Sequence, residues 1–109
     1  MSNKIKVTPS SGNVFADLGV VDAEETLAKA EVACRICDII AERKLSQTTA
    51  ASILGVDQPK VSALMRGRLE GFSSERLFRF LNALDRDVEI IIKPKSQEAE
   101  HGHIRVVAA

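Results

Sequence analysis

Gln47, Thr48, Gln58, Pro59, Lys60, Ser62, Arg66 and Arg68 are the residues of this chain best equipped for chemistry, and that chemistry is recognition. A glutamine amide can make two bonds to the edge of an adenine, while arginine and lysine suit guanine or phosphate. Their spacing is that of two short helices, together 46–66, joined by a tight turn. Ser46 is a good N-cap for the first helix, and Ala50, Ala51, Ile53 and Leu54 give it a buried side. Gly55 stands where the chain must leave that helix sharply, a position that favours positive φ. Asp57 caps the second helix, whose first turn tolerates Pro59 because the missing N–H has no helical partner. Val61 and Leu64 then point inward, and Gln58, Lys60, Ser62 and Arg66 are left pointing out. A helix presented in this way fits the major groove of DNA.

The pattern closely resembles the helix-turn-helix of the Cro and phage-lambda-repressor family, also called the XRE family. Leu45, Ser46, Gln47, Ala51, Leu54, Gly55, Val56, Gln58, Val61, Leu64 and Gly67 carry the resemblance. The flanks 11–19, 71–73 and 76–84 are similar to small proteins of this family of the HigA antitoxin kind, so that the likeness spans roughly residues 11–93. It implies a mainly α, lambda-repressor-like domain in which Gln47 holds a phosphate and Gln58 reaches a base edge. It also implies a homodimer that represses its own operon at a double-stranded operator while masking a small basic ribonuclease toxin. A free-standing repressor with the same fold and no toxin is the alternative.

Other constellations are weaker. Cys34-Arg35-Ile36-Cys37 is a Cys-x-x-Cys, and His101-Gly102-His103 follows in the tail, so that zinc or thiol chemistry can be drawn on paper. Both cysteines fall in a predicted helix, on its apolar side, where cysteine acts as a small hydrophobe. A redox pair would sit at a helix N-terminus, and these sit mid-helix. The histidines read as a solvated tail. No Ser-His-Asp set, glycine-rich phosphate loop or defensible carboxylate pair is present, so neither an enzyme nor a metal or other cofactor is expected.

The length of 109 residues suits one modest core. With no tryptophan or tyrosine and only four phenylalanines, that core must be built mainly of Ala, Leu, Ile and Val. The leading residues lack the apolar run of a signal peptide, and no stretch approaches the roughly 20 apolar residues of a membrane span, so a cytoplasmic, nucleoid-associated protein with reduced thiols is expected. The formal net charge is zero. That average hides a basic centre, with five basic residues against one acid over 43–68, and an acidic leading helix, with five acids against two basic residues over 22–38.

Three divisions position these residues. Residues 1–13 are polar and are expected to form a mobile arm, with Val14, Phe15 and Leu18 tacking a short turn to the body. Residues 14–86 form the helical domain. A long helix is predicted from about Ala23 to Arg43, with Glu31, Arg35, Asp38 and Glu42 on a narrow charged stripe and an apolar arc wide enough to be covered on more than one side. Ser73 caps a last helix, with Phe72 and Leu77 as a hydrophobic staple and Leu77, Phe78, Leu81 and Leu84 as its core face. Residues 87–109 change character. Val88, Ile90, Ile91 and Ile92 predict a C-terminal strand stopped by Pro94, paired either with a second copy as a dimer seam or with Ile104 to Val107 as a hairpin.

Overall fold

The computed structural model describes residues 12–108, with side chains from residue 23 onward. Most of the expected arm 1–13, and the side chains of Val14, Phe15 and Leu18, therefore lie outside the described residues. Among those described there are four helices: α1 (Gly12–Glu42), α2 (Gln47–Leu54), α3 (Gln58–Met65) and α4 (Ser74–Ala83). The leading helix begins well before Ala23, and the stretch expected as a short separate turn is part of it.

Three of these helices start as their cap residues dictate. The hydroxyl of Ser46 accepts from the Thr49 N–H, the carboxylate of Asp57 from the Lys60 N–H, and the hydroxyl of Ser73 from the Arg76 N–H, each at 3.1 Å. All four helices stop by a doubling-back of the backbone. Leu45 N–H donates to the Ile40 carbonyl, Val56 to Ala51, Arg68 to Ala63 and Arg86 to Leu81, at 2.9–3.0 Å. This is the six-to-one bond of a helix end whose following residue is left-handed. Gly55 (φ 73°) and Gly67 (φ 78°) supply that conformation without a Cβ conflict, while Lys44 (φ 57°) and Asp85 (φ 67°) supply it with a side chain attached.

The core lies where α1 crosses α3 and α4. Ile36 and Ile40 from α1, Val61 and Leu64 from α3, and Leu77 and Leu84 from the last helix and its cap are fully buried. α2 packs on α3 and α4 through Ala50, Ala51 and Leu54, whose small side chains let the helices approach. Two cations tie the ends together: Lys29 Nζ donates to the Leu69 carbonyl at 3.1 Å, and Arg43 Nη1 to the Leu84 carbonyl at 3.4 Å.

Three expectations change. The core face of α4 is Leu77, Phe80 and Leu84, with Phe78 and Leu81 only half-buried. On α1 the predicted charged stripe is exposed; over 32–41 the apolar residues left outside the core are Cys34 and Ala41, both small, while nearer the start of the helix Leu27 is 61% exposed. Cys34 accordingly lies on the exposed side.

No strand forms among the described residues, and the expected C-terminal strand over 87–93 is absent. A strand exists only as one side of a ladder, and the candidate partner goes elsewhere. The Ile104 N–H donates to Glu24 Oε1 at 2.9 Å, His103 Nδ1 pairs with Glu24 Oε2 at 2.8 Å, and Val106 packs on the core. The tail is thus clamped to α1, which also removes His103 from the role of a solvated histidine. Ile90, Ile91 and Ile92 are left 70%, 77% and 92% exposed.

Candidate nucleic-acid interface

α2 and α3 meet at a three-residue turn, 55–57, with both sides closed by the cap and stop bonds described above. Their relative orientation is therefore fixed by local bonds and by the buried Ala50, Ala51, Val61 and Leu64. Burying Val61 and Leu64 on one side of a two-turn helix forces the remaining positions outward. Gln58, Pro59, Arg66 and Arg68 are exposed, and Ser62 and Lys60 are half-buried. Gln58 and Ser62, four residues apart, share one face.

Gln47 opens α2 and is half-buried, with Thr48 exposed beside it. Its Nε2 lies 3.9 Å from Met65 Sδ, which draws the first residue of α2 to the last residue of α3. Gln47 and Arg66 thus stand at one edge of the unit and Gln58 at the opposite end of α3. An interface using all of them would span the length of the second helix.

Lys60 behaves differently from a free cation. Its Nζ lies 5.5 Å from the centroid of the Phe72 ring, over which Arg76 also lies at 5.7 Å. Arg76 reaches Phe80 as well, at 5.8 Å, and the two rings meet edge to face with centroids 5.9 Å apart. Such contacts hold a cation by the negative face of the ring. Arg76 was not among the residues singled out from the sequence. The available signal was its register, since Lys60 and Arg76 both stand three residues after a helix cap and both approach Phe72.

Beside this ring opens a shallow depression of about 400 Å³, lined by Asp57, Pro59, Lys60, Ala63, Arg68, Glu70, Gly71 and Phe72. It carries both signs of charge, which suits mutual orientation of side chains better than capture of an anion. The proposed dimer residues gather elsewhere: Val88 is half-buried, and Ile90, Ile91 and Ile92 project on the exposed segment after α4.

Among the described residues, the titrating groups with a displaced pKa both lie on α1. Glu24 is held below its ordinary value, first by the Ile104 N–H bond and then by the His103 side chain. Burial pushes the Cys37 thiol up, with Cys34 and Asp38 adding to the effect. Among the described residues no group of three or more His, Cys, Asp or Glu is placed to hold a metal ion. No helix among them is long and apolar enough to cross a membrane.

Comparison with known proteins bears on the same region. A family model described as "Helix-turn-helix domain" matches residues 14–93. A solved structure, provisionally named as an XRE family transcriptional regulator, is 51% identical to this chain. The match covers 81% of this chain and 99% of the other, with a TM-score of 0.77. Comparison with curated proteins gives no match.

Proposed function

This chain belongs to the helix-turn-helix domain family, as a transcriptional regulator of the XRE type, and from that premise we propose that it is a homodimeric repressor reading an operator with α3. The observation that carries the reading is the division of α3 itself. Val61 and Leu64 are buried to 1% exposure or less, and the opposite side presents a glutamine, a serine and basic ends rather than a mixed solvated surface. Gln58 is the base-reading residue. Gln47, Thr48, Arg66, Arg68 and Lys60 position the duplex through phosphates, with Pro59 and Ser62 lining the approach.

Two copies pair through Val88, Ile90, Ile91 and Ile92, which become strands on association, since each supplies the ladder partner the other lacks. By its resemblance to antitoxins, the protein acts in the cytoplasm, on the nucleoid, and covers a small basic ribonuclease with the acidic side of α1. The free-standing repressor is the competing reading. It is favoured by Glu24, which the chain's own tail already occupies. A small basic protein encoded in the neighbouring reading frame that co-purifies with this chain would decide for the antitoxin; co-purification failing, the repressor stands alone.

The DNA reading is tested by selecting an operator from random duplexes and measuring affinity across a salt series. Gln58→Ala should cost about 1–3 kcal/mol on the selected duplex and far less on scrambled DNA. Gln47→Ala, Lys60→Ala and Arg66→Ala should weaken both duplexes more evenly, each lowering the salt slope by roughly one if it meets a phosphate. Wild-type affinity for the operator in Gln58→Ala would mean that α3 is not the reading helix.

A further inference from the structure

Cys34 and Cys37 stand one turn apart on α1 as free thiols, Cys34 exposed and Cys37 half-buried against the core. The Cys37 thiol donates to the carbonyl of Leu64, near the end of α3, at 3.8 Å. The geometry of a helix decides what two such sulfurs can hold. Residues three apart have Cβ atoms about 5–6 Å apart, and a disulfide needs them at about 3.5–4.5 Å. A direct S–S bond therefore requires the helix to deform. A single bridging atom does not: with two sulfur bonds of about 2.3 Å meeting at the roughly 100° of a trigonal pyramid, it holds sulfurs about 3.5 Å apart, against about 2.05 Å in a disulfide. Zinc is a poor candidate, because structural zinc takes four ligands and no third His, Cys, Asp or Glu joins the pair among the described residues.

We propose that Cys34 and Cys37 form a dithiol site for a soft, thiophilic centre satisfied by two sulfurs, with trivalent organoarsenic as its type, and that occupation loosens the end of α3. The chemistry balances without an oxidant. With an organoarsenic oxide both S–H bonds break, two S–As bonds form, and the two protons leave with the arsenic-bound oxygen as one water. Cys37 thereby loses the hydrogen it donates to Leu64, and a sulfur lone pair faces that carbonyl instead. Because both protons leave within that water, none is released to solution, and binding to the protonated thiols carries no proton-linked pH dependence. The site stands independently of the DNA reading; only its effect on operator affinity rests on it.

The test treats the full chain with phenylarsine oxide in excess glutathione, alongside Cys34→Ser and Cys37→Ser, and reads intact mass. The wild type should retain one phenylarsenic unit, both variants should retain none, and 2,3-dimercaptopropanol should strip the adduct. Amide hydrogen exchange over 61–67 should accelerate severalfold in the loaded wild type, and operator affinity should fall about two- to tenfold, the scale of one weak hydrogen bond. Equal retention by a single-cysteine variant, or none by the wild type, would overturn the site. Retention with unchanged exchange would overturn the coupling to α3. Mass and exchange need no DNA, so a chain that selects no operator would count against the DNA reading while the dithiol result is scored by itself.

Discussion

Residues 47–66 and residues 87–108 are of comparable length, and both are rich in aliphatic side chains, yet the molecule uses them in opposite ways. In the first, each large aliphatic residue on the inner side has a place in the core, and what is left over is mainly polar or basic, with Pro59 and Met65 the exposed apolar exceptions. In the second, three consecutive isoleucines are exposed, and just Val106 reaches the core. The lesson concerns apolar surface that one copy cannot bury. Within the helical pair such surface is spent on fixing a geometry; after α4 it remains available to a second molecule.

Stability measurements should make that contrast plain. Leu64→Ala is expected to cost about 3 kcal/mol, within the range for emptying a packed leucine site. Ile92→Ala should cost under about 0.5 kcal/mol in dilute protein, as an exposed position does. Chemical denaturation of both variants checks this, and a comparable loss from Ile92→Ala would break the comparison.

The exposed segment should instead answer in assembly. Replacing Ile90 and Ile92 together by lysine is expected to leave the thermal transition of dilute protein in place, yield a monomer in sedimentation, and lower operator affinity by roughly 10²-fold, the scale of linked half-site binding. A wild type that sediments as a monomer at micromolar concentration would remove the segment's role as a seam.

A smaller effect tests how the helical unit is closed. Lys44 holds a left-handed backbone that a side chain disfavours by about 1–2 kcal/mol, partly offset by the extra freedom a glycine loses on folding. Lys44→Gly should therefore raise stability by about 0.5–1 kcal/mol, whereas Gly55→Ala should lower it by about 1 kcal/mol, both read from denaturant midpoints.

The slightest effect concerns the tail clamp. The carboxyl of Glu24 is held low in the folded chain, chiefly by the Ile104 N–H and next by His103. A depressed native value means that the contact contributes above the ordinary carboxylate range and is lost as pH falls through the lowered value. The Ile104 amide resonance should report that step on acidification while the core stays folded. Glu24→Gln should abolish it, and an unchanged profile in that variant would assign the step to another group.

How far all this could be read beforehand follows from the range of the interactions involved. The caps at Ser46, Asp57 and Ser73 and the stop at Gly55 were legible because each is settled by bonds within a few residues. The choice between Phe78 and Phe80 was not, since Leu77 to Leu81 is apolar at four of its five positions and periodicity cannot say which of two close neighbours turns inward. Cys34 was misplaced for the same reason, on a helix segment with apolar residues nearly all round. The destination of the tail depended on Glu24, some eighty residues upstream, and nothing in the local pattern of either segment names the other. The candidate DNA residues from Gln47 to Ser62 needed only helix register, which explains why their placement on two short helices, with Arg66 and Arg68 just past the second, could be anticipated while the ring contact of Lys60 could not.

The four matching helix ends have a kinetic consequence. Each boundary is written into bonds spanning six residues or fewer, so helix limits can be set before distant parts of the chain meet. A chain whose contacts are largely local crosses its folding barrier quickly, on the microsecond-to-millisecond scale typical of helical bundles. For a regulator diluted at each cell division, a nascent copy would then be folded almost as soon as it leaves the ribosome, so that the delay before it acts is set by the meeting of two copies and not by folding.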